Sequence, residues 1–378
     1  MIAVKRLLGM KPIILKDGHS VALIIDIPKI EDHARAETAQ CILDLLERAP
    51  NLESLTLPEP KWTFQSLADK RIPEAISQIS TLRELGLLEE CDEMASIVTS
   101  TRSAASLRIL RVSLATLPTS DDEYALTVAE VDAFLGHLIP TLEVLDIRAP
   151  TLMLDAKGVQ YSALRSLVVP AIDEGIIRTD ILVSKFPALG GALGIGSVYG
   201  DLQDDEQKQR RIRTSNQERQ HRRCWKGLDC LTGDVPALFV LGLKCPVRHL
   251  VVSGPYGQET NKMAEILRDT PPTHLNLSTV LDHGDGFLVE IIPRLPHLLL
   301  LLEYHNGAMG DEQSRDAVEN MQWSVVLAKI TDSIRALRLT HFRLFVHYDV
   351  NRDEYYAPYS KDFVSSVAEL DHAHLAQS

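Results

Sequence analysis

A short string, leucine-x-x-leucine-x-aliphatic, recurs along the chain. Copies begin at Leu52 (LESLTL), Leu82 (LRELGL), Leu107 (LRILRV), Leu142 (LEVLDI), Leu164 (LRSLVV), Val247 (VRHLVV) and Ile334 (IRALRL). The early copies lie 30, 25, 35 and 22 residues apart. That scatters around the roughly 20–29 residues of a leucine-rich repeat. The gaps from Leu164 to Val247 and from Val247 to Ile334 are each near three such units, so degraded copies are expected inside both. FPALGGALGI around Leu189 and WKGLDCL around Leu228 fall in the first. PTHLNL ending at Leu277 and LPHLLLLL around Leu298 fall in the second.

The last two apolar positions of each string are two apart and share one face of a strand. Proline precedes the first leucine by two residues at Pro50, Pro140, Pro187 and Pro296, and sits directly before Val247 at Pro246. Proline ends a helix and drives its preceding residue toward extended backbone. Helix-period segments stand upstream: AETAQCILDLLERA, LTVAEVDAFLGHLI, EGIIRTDILVSKF and GDGFLVEII. In the first, Ala39, Ile42, Leu43 and Leu46 form one apolar helical face. Each unit therefore predicts a helix, a proline stop and a short strand.

Strands joined by helical crossovers pair in parallel. One unit cannot bury its own leucine face, whereas a stack of units can. The expected fold is an α/β leucine-rich-repeat solenoid, a horseshoe with a parallel concave sheet and convex helices, over residues 1–348. Residues 349–378 are expected to form a C-terminal cap and tail. A doubly wound α/β domain also alternates helix and strand, but it does not call for a leucine triplet at every strand.

Composition narrows the functional classes. Apolar residues make up 45% and aromatics only 5%, so the core must be aliphatic. The net charge of −13 repels phosphate backbones and disfavours nucleic acid as a partner. Five scattered cysteines suit a reducing, intracellular setting, in cytoplasm or nucleus, better than a disulfide framework. The apolar runs, the five leucines Leu298 to Leu302 included, are too short to span a bilayer, so no membrane role is expected. The polar stretch at about 201–226 is expected as a solvated helix or loop between repeats, in preference to a nuclear-localisation or nucleic-acid patch.

Candidate chemistry is sparse. Cys224, Cys230, Cys245 and His249 lack the close cysteine pairing of a zinc module. Gly194, Gly196 and Gly200 miss the dinucleotide spacing by a residue. Asp282, His283 and Asp285 read as a turn feeding a helix N-terminus. No catalytic group, cofactor or metal is expected. The outward position between the second and third leucines carries Arg111, Asp146, Asn276 and Arg338 among Thr56, Gly86, Val168 and Val251. In HFRLFVHYD, alternation places His341, Arg343, Phe345 and His347 on one face. Arg111, Asp146, His249, Asn276, Arg338, His341, Arg343 and His347 form the candidate surface for a protein partner on the concave face.

The stretch WKGLDCLTGDVPALFVLGLKCPVRHLVVSG, from Trp225 to Gly254, resembles leucine-rich-repeat F-box proteins of mushroom-forming fungi. APNLESLTLPEP and IPTLEVLDIRAP resemble repeat units of the same family. The resemblance implies the substrate-recognition arm of a ubiquitin ligase, in which an N-terminal F-box grips the ligase adaptor and the repeats hold the substrate. Residues 1–50 depart from that pattern, offering the strand-like VALIIDIP and one repeat helix. A ligase adaptor is thus expected as a partner only if an F-box lies upstream. The alternatives are a repeat-only scaffold with no part in ubiquitin transfer, and, behind it, an enzyme of unknown type.

Overall fold

A computed structural model describes residues 21–27, 32–114, 126–148, 152–153, 158–172, 178–198, 205–253, 260–280, 295–304, 323–335 and 337–348. The chain divides into two compact units, residues 1–246 and 247–378. The expected cap and tail at 349–378, the Asp282–Asp285 turn and the GDGFLVEII helix lie outside the described residues.

In the first unit the strands are β1 (Val21–Ile24), β2 (Leu52–Leu57), β3 (Glu84–Leu87), β4 (Ile109–Ser113), β5 (Leu126–Thr127), β6 (Val144–Arg148), β7 (Leu152–Met153), β8 (Ser166–Ile172), β9 (Ala192–Val198) and β10 (Leu228–Asp234). The helices are α1 (Arg35–Glu47), α2 (Pro60–Leu67), α3 (Arg71–Gln78), α4 (Met94–Thr99), α5 (Val128–Leu135), α6 (Thr179–Lys185), α7 (Glu206–Gln220) and α8 (Val235–Leu241). Eight strands lie side by side in the order β1-β2-β3-β4-β6-β8-β9-β10, while β5 and β7 form a short side ladder against β8. The second unit contains β11 (Val247–Ser253), α9 (Thr260–Asp269), β12 (His274–Val280), β13 (His297–Tyr304), α10 (Trp323–Arg335) and β14 (His341–Tyr348), with the strands adjacent in chain order. Every strand pair described is parallel. No described helix is long and apolar enough to cross a membrane.

The register lines up the repeat strings. Leu55, Leu85, Leu110, Leu145, Leu167, Leu193 and Leu231 stand abreast across β2 to β10. Leu250, Leu275, Leu298 and Phe342 do the same across β11 to β14. All ten leucines of these rows are at most 3% exposed. The four degraded strings supply strands β9, β10, β12 and β13, so both gaps are filled as the spacing demands. In α1, Ala39, Ile42, Leu43 and Leu46 are buried together, as their helical spacing predicts.

One polar device ties each repeat to the next. Hydroxyls at strand entries donate to carbonyls of the preceding repeat: Thr81 to Leu52 O at 2.7 Å, Ser106 to Leu82 O at 2.8 Å, Thr141 to Ala104 O at 2.9 Å. Thr273 and Thr340 repeat the contact in the second unit, on Arg248 O and Pro296 O, each at 2.9 Å. Such bonds satisfy backbone oxygens where the chain leaves a turn.

The polar stretch after residue 204 is a helix, α7, but it is not solvated all round. Gln209, Arg213, Asn216 and Gln220 are buried. Their spacing gives one helical face. That face meets α8, which is buried at every residue and so cannot leave its last carbonyls to water. Arg213 donates to Phe239 O at 2.6 Å, Asn216 to Val240 O at 2.9 Å and Gln220 to Gly242 O at 2.8 Å. Asn216 Oδ1 also accepts from Thr179 N at 3.2 Å, at the start of α6. The expectation of a solvated segment is corrected to a polar helix with one buried face, from which Arg213, Asn216 and Gln220 bond the end of α8.

Candidate functional site

Alternation along a parallel strand leaves every second residue on the face opposite the leucine rows. In the first unit that face carries a charged line across three strands. Glu84 on β3 accepts from Ser54 at 3.1 Å and pairs with Arg111 on β4. Arg111 stands in register with Asp146 on β6, and Asp146 with Val168 on β8. Arg111 is half-exposed and Val168 exposed. Burial raises the Asp146 carboxyl above its ordinary value, against the opposing pull of Arg148 and Arg111. Asp146 Oδ1 is buried without a hydrogen-bond partner among the described residues.

In the second unit the corresponding row reads Val251, Asn276, Leu299, Arg343. Two residues earlier stands a second row, and it is histidine on every strand: His249, His274, His297, His341. The rings follow one another with centroids 4.3, 4.1 and 4.7 Å apart, the first pair tilted by 41° and the other two stacked. His274 and His297 are parallel to within 1°. The first three are half-buried and His341 is exposed.

The tautomers follow from the neighbouring hydroxyls. Thr273 and Thr340 each use their single proton on a backbone carbonyl. Their oxygens, 3.0 Å from Nδ1 of His274 and His341, can therefore only accept. With the threonine protons on those carbonyls, the matching neutral tautomer has its proton on Nδ1 and its acceptor at Nε2. On His249, Nδ1 is instead the acceptor, from Arg248 Nε at 3.3 Å. Partial burial first, then the charges of His297, His249, Arg248 and His341, hold the His274 pKa below its ordinary value.

The sequence-predicted residues divide accordingly. Arg111 and Asp146 share a row in the first unit. His249, Asn276, His341 and Arg343 share the outward face of the second, with Arg343 over the ring of exposed Phe345. His347 falls within β14 in register with Glu303. Arg338 is the correction. The string IRALRL begins inside α10, and extended backbone starts only at His341, so the row position belongs to Arg343 and Arg338 lies ahead of the strand. His274 and His297 were missed. Their signal was the recurrence of histidine directly before the central leucine in VRHLVV, PTHLNL and LPHLLL, and before Phe342 in THFRL.

Among the described residues no three histidines, cysteines or acids are grouped to hold a metal. Burial pushes the Cys245 thiol up to about 11 and the Cys91 thiol up to about 12, so neither is a nucleophile near neutrality. A buried polar cluster lies away from the outward face. Asp132 accepts from Lys185 at 2.7 Å, from Tyr161 at 2.9 Å and from Val159 N at 3.0 Å. Gly158, at φ +120°, lets the backbone pass, since a Cβ there would sit 2.3 Å from Asp132 Oδ2. The cluster staples α5, the loop before β8 and the end of α6. No family model, curated protein or solved structure matches the chain.

Proposed function

We propose that this chain is a leucine-rich-repeat horseshoe that holds a protein partner on its concave sheet. The observation that carries this reading is the register. Aliphatic rows fill one side of the parallel strands, and the alternate rows set out unlike side chains: Glu84, Arg111, Asp146 and Val168 in one unit, the histidines, Asn276, Leu299 and Arg343 in the other. Extended protein recognition uses such a mixed ladder. Catalysis would need titratable groups converging on one reacting atom. The resemblance to leucine-rich-repeat F-box proteins gives the binding a purpose, the capture of a substrate for ubiquitin transfer. The competing reading is a repeat-only scaffold.

Affinity purification of the tagged chain, followed by mass spectrometry, tests both levels. Proteins held through the sheet face should be retained by the wild type and lost from Arg111→Glu, with exposed Arg222→Glu as the control. Retention by Arg111→Glu of every protein the wild type retains would contradict the binding face. Co-purification of the ligase adaptor would favour the ligase arm, and its absence alongside a retained partner would favour the scaffold.

A further inference from the structure

We propose that the imidazole row of β11–β14 is a recognition strip for a carboxylate-rich segment of a protein partner, engaged in mildly acidic solution. The proposal rests on the reading of the sheet face as a protein-binding surface and names the chemistry of one part of it.

The row is built to gain charge at its outer edge. With Nδ1–H of His274 and His341 held by threonine, an added proton goes to Nε2 and turns an acceptor into an N–H donor. Neighbouring imidazoliums at 4.1–4.7 Å repel one another, and a carboxylate whose two oxygens accept from adjacent rings removes that repulsion. Arg248 stands beside His249, and the next row on the same face, Val251, Asn276, Leu299 and Arg343, adds an arginine and no carboxylate. Along the same alternation the first acid is Glu303, six residues beyond His297. Of the helices in this unit, α9 brings Lys262, Arg268, Glu265 and Asp269, two of each sign, and on α10 Arg335 pairs with Asp332 at 3.2 Å.

The neighbouring row selects the class of anion. Val251 and Leu299 border the imidazoles with half-buried aliphatic surface. An acidic peptide can match that surface with its own apolar side chains, whereas a polyphosphate has nothing to place there. The depressed His274 pKa keeps that ring neutral at neutral pH, so capture is proton-linked.

The test is fluorescence anisotropy of the full chain with a labelled peptide alternating glutamate and leucine, at about pH 7.5 and about pH 5.5, where the glutamates stay ionised. The expected result is affinity at least about tenfold higher at the lower pH, since one charge-assisted hydrogen bond is worth that much. The double variant His274→Gln/His297→Gln should lose that gain, and Arg222→Ala, on the exposed turn after α7, should keep it. Should the double variant unfold, imidazole nitrogen resonances of the wild type serve instead, shifting on peptide addition at the lower pH. Equal affinity at both pH values, or no effect on the histidine resonances, would overturn the proposal. So would an oligonucleotide that binds as tightly as the peptide. Loss of the strip with Arg111-dependent partner capture intact at neutral pH would refute this inference alone; loss of both would refute the binding face.

Discussion

Lys185 is a cation that folding removes almost wholly from water, with its side chain 5% exposed. Such a charge is tolerable only beside a hydrogen-bonded partner of opposite sign, which Asp132 provides. Lys185→Met leaves Asp132 buried without its cation, and is expected to cost about 3–5 kcal/mol in urea denaturation. A loss under about 1 kcal/mol would mean that water reaches the site. At His274 the expectation concerns pH. Its folded pKa is lower than its unfolded one, so the unfolded chain binds more protons between the two values. Stability from this ring is complete above the unfolded value, near pH 6.5, and is lost as the pH falls through the folded value. Melting temperatures taken from neutral to mildly acidic pH should fall more steeply for the wild type than for His274→Gln. Parallel curves would remove His274 as the cause. Neither residue was legible as part of a cluster. Lys185 and Asp132 are 53 residues apart, and His274 acquires its neighbours only when β11 to β14 pair in register.

Among the elements, α7 shows why polarity alone misleads. Gln209, Arg213, Asn216 and Gln220 carry the spacing of a helical face but none of its usual apolarity, so the sequence reads as solvated. Their burial depends on α8, a helix apolar on every side, whose final carbonyls need side-chain donors. Asn216→Leu strands Val240 O and Thr179 N together, and should destabilise the chain by about 2–4 kcal/mol in chemical denaturation. Arg222→Ala, on the exposed turn after α7, should change stability by no more than about 0.5 kcal/mol. Equal effects would place α7 outside the packed structure. Strand β10 carries a related lesson. Its string ends on Gly233 where other strands have a leucine or another aliphatic residue: a Cβ at Gly233 would lie 2.7 Å from Ile195 O on β9 and 3.2 Å from Leu238 of α8, which takes up the space. The copy is degraded in sequence because its core position is filled from elsewhere.

At the scale of the molecule, the strand series was the most legible feature. A leucine string at each strand, with prolines ahead, located the parallel strands and the copies hidden in both gaps. The exception is instructive. IRALRL satisfies the string with Ile334, a residue of α10, so spacing alone set the last strand five residues early and selected Arg338 where register selects Arg343. The aliphatic rows imply that Leu275→Ala opens a cavity between two neighbouring strands and costs about 2–5 kcal/mol. The central claim is that the outward rows, and not the helices, hold the partner. Its most direct measurement is the dissociation constant of a purified partner for Arg111→Ala, Asn276→Ala and Arg343→Ala against the helix variants Arg71→Ala and Arg211→Ala. The sheet-face variants should weaken binding by about tenfold or more at one or several positions, and the helix variants should match the wild type. Unchanged affinity for all three sheet-face variants, with loss at Arg71 or Arg211, would contradict the claim.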